Sequence, residues 1–179
     1  MSFVPRWSIA RRIKDQSVAE HTFYAIYYTH VICVELKLDR ENTLKAMELA
    51  VYHDMEEIFT GDIPGPAKRI LAKEEGYHTH ITPHVKKNIP TYFTGNEINN
   101  NNVVHIVKMA SLVDEAMWMA TESQLGNKSL NLPMNNTIQR LYSVFELVFN
   151  DVDNKDKIWA EILNDINRAG YGDSRILLG

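Results

Sequence analysis

Apolar residues recur at spacings of three and four along most of the chain, and this pattern predicts helices nearly throughout. Between Val18 and Leu36 the periodic positions include Ala19, Phe23, Ile26, Tyr27 and Val34, which reads as one amphipathic helix. Asp39 is placed to cap the next helix, with Asn42 a second candidate. That helix carries Leu44, Met47, Leu49, Ala50, Val51, Met55 and Ile58. It is expected to end near Thr60-Gly61, because glycine is the usual helix stop. Asp62-Ile63-Pro64-Gly65-Pro66 reads as a rigid turn, followed by a short helix over about 67–73. Residues 76–102 are the least regular, broken by Pro83, Pro90, Gly95 and the run Asn99 to Asn102, and predict one helical segment flanked by loops. A long helix is expected from about 103 to 125, stopped by Gly126-Asn127. Leu132-Pro133 predicts another break, and helices over about 134–150 and 156–169 close the domain before a tail at 170–179. Neither an internal repeat nor strand-like alternation long enough for a sheet is present. The fold class is therefore all-α, a compact irregular helical bundle forming a single domain over 1–179.

Composition narrows the classes. With 45% hydrophobic and 23% charged residues, a chain of 179 can bury a core without covalent staples. Cys33 is the lone cysteine, so no intramolecular disulfide forms, which fits a reducing cytoplasm. The opening Met1-Ser2-Phe3-Val4-Pro5-Arg6 has no apolar h-region, and no apolar run reaches the ~18–20 residues of a membrane span. A cytoplasmic location and no membrane partner are expected. A net charge of −4 argues against a nucleic-acid polymer as partner. Yet Arg6, Arg11, Arg12 and Lys14 crowd the first fourteen residues without an acid, and Lys68-Arg69 forms a second basic spot. These suit a small phosphorylated ligand, or equally a solvated basic face.

The segment Val51-Tyr52-His53-Asp54-Met55-Glu56-Glu57 carries the candidate chemistry. Imidazole and carboxylate both ligate divalent metals. On a continuous helix Glu57 falls one turn after His53 and Asp54, where a carboxylate near a metal can move protons. A His-Asp dipeptide alone is weak evidence. His21 on the preceding helix and Asp114 on the long later one add the spread by which helical bundles build metal sites. His78, His80 and His84 sit in the irregular region without supporting acids and read as a surface loop. His30 and His105 read as packing or surface residues, and Cys33 as an inert core thiol. Trp118, Trp159 and the methionines at 109, 117 and 119 read as core. Neither a Walker-type phosphate loop nor a dinucleotide fingerprint occurs, so kinase and dehydrogenase functions have no support.

Four motifs together carry a resemblance. Arg6-Trp7, Ser17-Val18-Ala19-Glu20-His21, Tyr52-His53-Asp54-Met55-Glu56-Glu57 and Thr60-Gly61-Asp62-Ile63-Pro64-Gly65-Pro66-Ala67-Lys68 resemble the HD-domain phosphohydrolases. Within that superfamily the chain is similar to the 5′-deoxynucleotidases and especially to the short phage-encoded dATP triphosphohydrolases. The resemblance is close over about the first 70 residues and looser around Asp114. It implies an HD-domain bundle. It also implies His21, His53 and Asp54 as metal ligands, Glu57 as the catalytic acid/base, and Asp62 as a supporting carboxylate. Arg6, Trp7 and Lys68 become substrate contacts. One position departs from the family's Lys-x-x-Asp on the late helix: Lys108 is followed by Ser111, a poor replacement for a carboxylate ligand. Asp114, one turn later, is expected to take over as fourth ligand, with Lys108 still able to reach phosphates.

The activity so implied is metal-dependent deoxynucleotide hydrolysis, with zinc, cobalt or manganese as the ion. Chain length and the extra cations Arg11, Arg12, Lys14 and Lys108 favour dATP, split into deoxyadenosine and triphosphate, with dADP and dAMP as further candidate substrates. In the phage enzymes an aliphatic side chain at the position of Ile9 would lie beside the purine and exclude a 2-amino group, though Ile9 also suits a core. The alternatives are a 5′-deoxynucleotidase acting on monophosphates and a non-catalytic nucleotide-binding module. The implied partners are a small deoxynucleotide and further copies of the chain, as a dimer or hexamer. For a phage-encoded chain the cytoplasm would be that of the host.

Overall fold

The computed structural model describes residues 4–7, 10–55, 57–63, 67, 70 and 101–169. Six α-helices run in the order α1 (Val18–Glu35), α2 (Arg40–Tyr52), α3 (Glu57–Thr60), α4 (Asn101–Gln124), α5 (Asn131–Val148) and α6 (Lys155–Ala169) among these residues. A 3₁₀ turn, Lys128–Leu130, precedes α5. β pairing among them is one isolated antiparallel bridge, Pro5 with Ser17. None of their helices is long and apolar enough to cross a membrane.

α1 starts at a capping box. Ser17 Oγ accepts from the Glu20 amide at 3.1 Å, and the Glu20 carboxylate accepts from the Ser17 amide at 2.7 Å. Two donors that the first turn leaves unpaired are thereby satisfied. The helix is where the periodicity places it, but its buried face is different. Phe23 and Val34 are 63% and 62% exposed, while Val18, His21, Thr22, Ala25, Tyr28, Thr29, Ile32 and Cys33 turn inward. The helix is apolar on both sides, so periodicity alone cannot choose between them, and the inward face holds polar residues.

Asp39 caps α2, accepting from the Asn42 amide at 2.8 Å; Asn42 itself lies within the helix. The expected continuation of α2 to Thr60-Gly61 does not occur. The helix stops at Tyr52, a turn spans 53–55, and α3 restarts at Glu57. His53 Nδ1 donates at 2.7 Å to the Ala50 carbonyl, which a continuing helix would offer to residue 54. Gly61 then takes a positive φ of 71°, as expected of a helix stop.

α4 is the central helix and packs against α1, α2, α5 and α6. Ile106, Met109, Leu112 and Ala116 are buried along it, and Phe145 and Phe149 from α5 and its end cover it. Gly126, at φ 102°, follows α4 as expected. Pro133 does not break a helix; it is the third residue of α5, where a missing N–H costs nothing because first-turn amides have no intrahelical partner. Ala67 and Ile70 are helical, but the rest of the expected helix at 67–73, the segment 76–100 with its three histidines, and the tail lie outside the described residues.

Spacings of three, four and four put Ser111, Asp114, Trp118 and Glu122 on one side of α4. This stripe receives the N-terminal segment. Trp7 stacks on Trp118 with centroids 4.5 Å apart. The fully buried Glu122 carboxylate accepts from the Ile13 and Lys14 amides at 2.7 and 2.6 Å. Asn127 Nδ2 donates to the Arg11 carbonyl at 2.6 Å and to Glu122 at 2.8 Å.

Candidate metal centre

Three side chains converge where α1 meets the end of α2. His21 Nε2 and His53 Nε2 lie 3.2 Å apart. Asp54 Oδ2 is 3.4 Å from the first and 3.3 Å from the second. The break in α2 matters here: it is the turn after Tyr52 that carries His53 and Asp54 to His21.

Each imidazole has its other nitrogen spoken for. His53 Nδ1 donates to the Ala50 carbonyl, and His21 Nδ1 lies 2.5 Å from Asp114 Oδ2. Both Nε2 atoms are thereby turned towards the carboxylate oxygen and each other, the arrangement of donor atoms that share one cation. Ligands at ~2.0–2.1 Å from a tetrahedral ion stand roughly 3.3–3.4 Å apart. The observed edges of 3.2, 3.4 and 3.3 Å match that triangle. His21, His53 and Asp54 thus fit a divalent metal in both donor type and spacing.

Asp114 is not a member of this group. The expectation that it supplies the fourth ligand is corrected by its place on the far nitrogen of His21, where a carboxylate fixes the ring. The residue on the Nε2 side is Ser111, with Oγ 3.3 Å from His21 Nε2. The position at which the resemblance implies a carboxylate thus still approaches the cluster, with a hydroxyl in place of the acid.

Charge balance follows from these contacts. Burial disfavours the charged form of Asp54, but hydrogen bonds to His21 and His53 hold its carboxyl well below the usual range. For His21, burial and the Arg6 guanidinium disfavour protonation, whereas Asp114 and Asp54 favour it and leave the ring above its ordinary value. Cys33 is buried and its thiol is pushed up by desolvation, as an inert core thiol should be.

The remaining expected site residues are distributed as follows. Glu57 is buried at the start of α3, its amide bonded to the Asp54 carbonyl at 3.0 Å. Asp62 Oδ2 accepts from the Trp7 amide at 2.7 Å, which ties the turn after α3 to the N-terminal segment. Trp7 takes a φ of 65°, and with one face covered by Trp118 it has at most the other for a ligand. Arg6 Nη1 is 3.6 Å from Asp114 Oδ2, and Arg6 Nε and Nη1 are buried without a hydrogen-bond partner among the described residues. Lys108 is exposed on α4, one turn before Ser111. Ile9 and Lys68 lie outside the described residues. Arg12 is bonded to Asp15 and the Trp7 carbonyl, so it is engaged in holding its own segment.

Two residues stand beside the site without having been expected there. Gln16 is buried between Trp7 and Asp114, and no periodic or motif signal marks it. Trp118, read as core, is the platform under Trp7.

A helical bundle in which a His-Asp pair meets a histidine from another helix is the arrangement of the HD-domain phosphohydrolases. The chain belongs to one branch of them: the model of the 5′-deoxynucleotidase YfbR-like family matches residues 1–150. It is 26% identical over 143 residues to the 5′-deoxynucleotidase PM0747 of Pasteurella multocida, covering 72% of this chain and 73% of that protein. It is 30% identical over 137 residues to the 4′-phosphooxetanocin A phosphatase of Priestia megaterium, covering 70% of each. In fold it matches the cyanophage S-2L HD phosphohydrolase DatZ, bound to dA and one catalytic Zn2+ ion. The TM-score is 0.76 at 16% identity, over 93% of this chain and 92% of the other.

Proposed function

We propose that this chain hydrolyses deoxynucleotides at the phosphorus bonded to the 5′ oxygen, with dATP as substrate and deoxyadenosine and triphosphate as products. The observation that carries the hydrolytic reading is the His21–His53–Asp54 triangle, whose edges suit a tetrahedral divalent ion. When bound, such an ion supplies hydroxide near neutral pH and neutralises charge growing on phosphate oxygens. Zinc, cobalt and manganese all suit these donors.

The chain's own residues do the rest. Arg6, whose buried Nε and Nη1 have no hydrogen-bond partner among the described residues, together with Lys68 and Lys108, takes phosphate oxygens. Trp7 offers its remaining face to the sugar or base, and the resemblance to the phage enzymes assigns Ile9 to the purine. Glu57 passes the proton to the departing 5′ oxygen, and Asp62 holds Trp7 in place through its amide.

The preference for dATP rests on the match along nearly the whole chain to an HD phosphohydrolase bound to dA. A second reading, hydrolysis of deoxynucleoside monophosphates, is favoured by relatives named as 5′-deoxynucleotidases, among them that of Pasteurella multocida, and by the engagement of Arg12 away from a long phosphate chain. Each dNMP, dNDP and dNTP should be offered with Zn2+, Co2+ or Mn2+, and phosphate, pyrophosphate and triphosphate separated. Triphosphate from dATP supports the first reading; activity confined to monophosphates replaces it with the second. No turnover with any metal leaves a non-catalytic nucleotide-binding module. Self-association is part of the proposal, and sedimentation of the intact protein measures it.

A further inference from the structure

Gln16 joins two parts of the molecule that the proposed reaction uses separately. It is 5% exposed and makes two side-chain hydrogen bonds. The Trp7 indole N–H reaches Gln16 Oε1 at 3.1 Å, and Gln16 Nε2 reaches Asp114 Oδ2 at 2.9 Å. An indole nitrogen only donates, so the amide oxygen must face Trp7. The amide NH₂ then faces a carboxylate, which only accepts. The orientation of Gln16 is fixed by its neighbours' chemistry.

Asp114 Oδ2 also receives His21 Nδ1 at 2.5 Å, while the Nε2 of that ring faces His53 and Asp54. A continuous path of hydrogen bonds thus runs from the Trp7 indole through Gln16 and Asp114 to His21. Every donor along it points towards Asp114. Trp7 is fixed in addition by its stack on Trp118.

We propose that Gln16 is a positioning residue that couples the placement of Trp7 to metal binding at His21, so that the substrate-contacting segment and the ion stabilise each other. This rests on the metal reading given above. Partners one shell out from a metal ligand typically change affinity about 10–100-fold when removed. Hydrogen bonds in one buried network are not independent of one another, so the loss should propagate along the path.

The test uses the intact protein and Zn2+ alone, with affinity measured by chelator competition. Indole fluorescence is read in a Trp159→Phe background, because Trp159 packs separately against Tyr142 and Phe145. Gln16→Met keeps the shape of the side chain and removes both hydrogen bonds. It should bind Zn2+ about 3–10-fold more weakly, less than the loss of Asp114 itself, because Gln16 acts on His21 through that carboxylate. It should also lose the Zn2+-induced change in Trp7–Trp118 emission that the parent shows. Trp7→Phe keeps a ring but not the N–H; it should weaken Zn2+ binding as well, and add little in the Gln16→Met background. Far-ultraviolet circular dichroism establishes that each variant is folded. Parent-like Zn2+ affinity in either single variant, or full additivity of the two, overturns the coupling while leaving the metal reading intact. A parent that binds no Zn2+ removes that reading and the inference with it.

Discussion

Asp114 stands behind His21, not beside it: its Oδ2 meets Nδ1 at 2.5 Å, on the opposite edge of the ring from His53 and Asp54. The carboxylate therefore sets the tautomer and tilt of the imidazole. Asp114→Asn should keep the fold and weaken metal binding about 10–100-fold, against complete loss of both binding and turnover in Asp54→Ala. Chelator competition distinguishes the two, and equal losses would place Asp114 among the ligands after all.

Ser111 Oγ approaches His21 Nε2 at 3.3 Å, where a carboxylate would complete a four-ligand set. Ser111→Asp should tighten metal binding by on the order of tenfold, or ~1.4 kcal/mol. Isothermal titration with Zn2+ measures it. Weaker binding would mean that the position is turned away from the ion.

Glu57 follows the His-Asp pair but is absent from the triangle of ligand atoms. Glu57→Gln should leave metal affinity near that of the parent and lower kcat about 10²–10⁴-fold, the scale of a lost general acid or base. A matching loss of metal affinity would make it a ligand and not a proton carrier.

Glu122 gives the pH prediction. Burial alone would raise its pKa, but Asn127 and the amides of Ile13 and Lys14 hold it below the ordinary glutamate value. A carboxyl lowered on folding contributes stability above its unfolded pKa of ~4.3 and loses it as the pH falls through the folded value. Glu122→Gln should therefore be less stable than the parent by about 1–3 kcal/mol at pH 7. The gap should hold down to the unfolded pKa and close below it. Urea denaturation of both proteins across this range tests the sign; a gap that stays constant into strong acid would show that the charge is not its source.

Much of the frame was legible in the sequence. Asp39 caps α2 and glycines stop helices at 61 and 126 because those signals are local and depend on backbone conformation alone. The His-Asp pair and His21 were legible as residue types whose burial needs a reason. The buried face of α1 was not, since apolar residues surround it and the choice of face is made by α4 and α2. Nor was the end of α2, where a side-chain bond from His53 to the Ala50 carbonyl competes with the helical ladder. The same long-range dependence hid Gln16, whose two partners are 9 and 98 residues away. Glu20, conspicuous next to His21, acts locally by closing the capping box of α1.

The stripe on α4 has one more consequence. Ser111, Asp114, Trp118 and Glu122 meet His21, Trp7 and residues 13–14 in turn, so the helix works as a phased scale against which the N-terminal segment is read. One residue inserted between Asp114 and Trp118 would rotate everything beyond it by roughly 100°. The histidine contacts and the N-terminal clasp would then face different directions. This stretch therefore tolerates an exchange of side chain more readily than a change of length, because a single insertion puts every later contact out of phase.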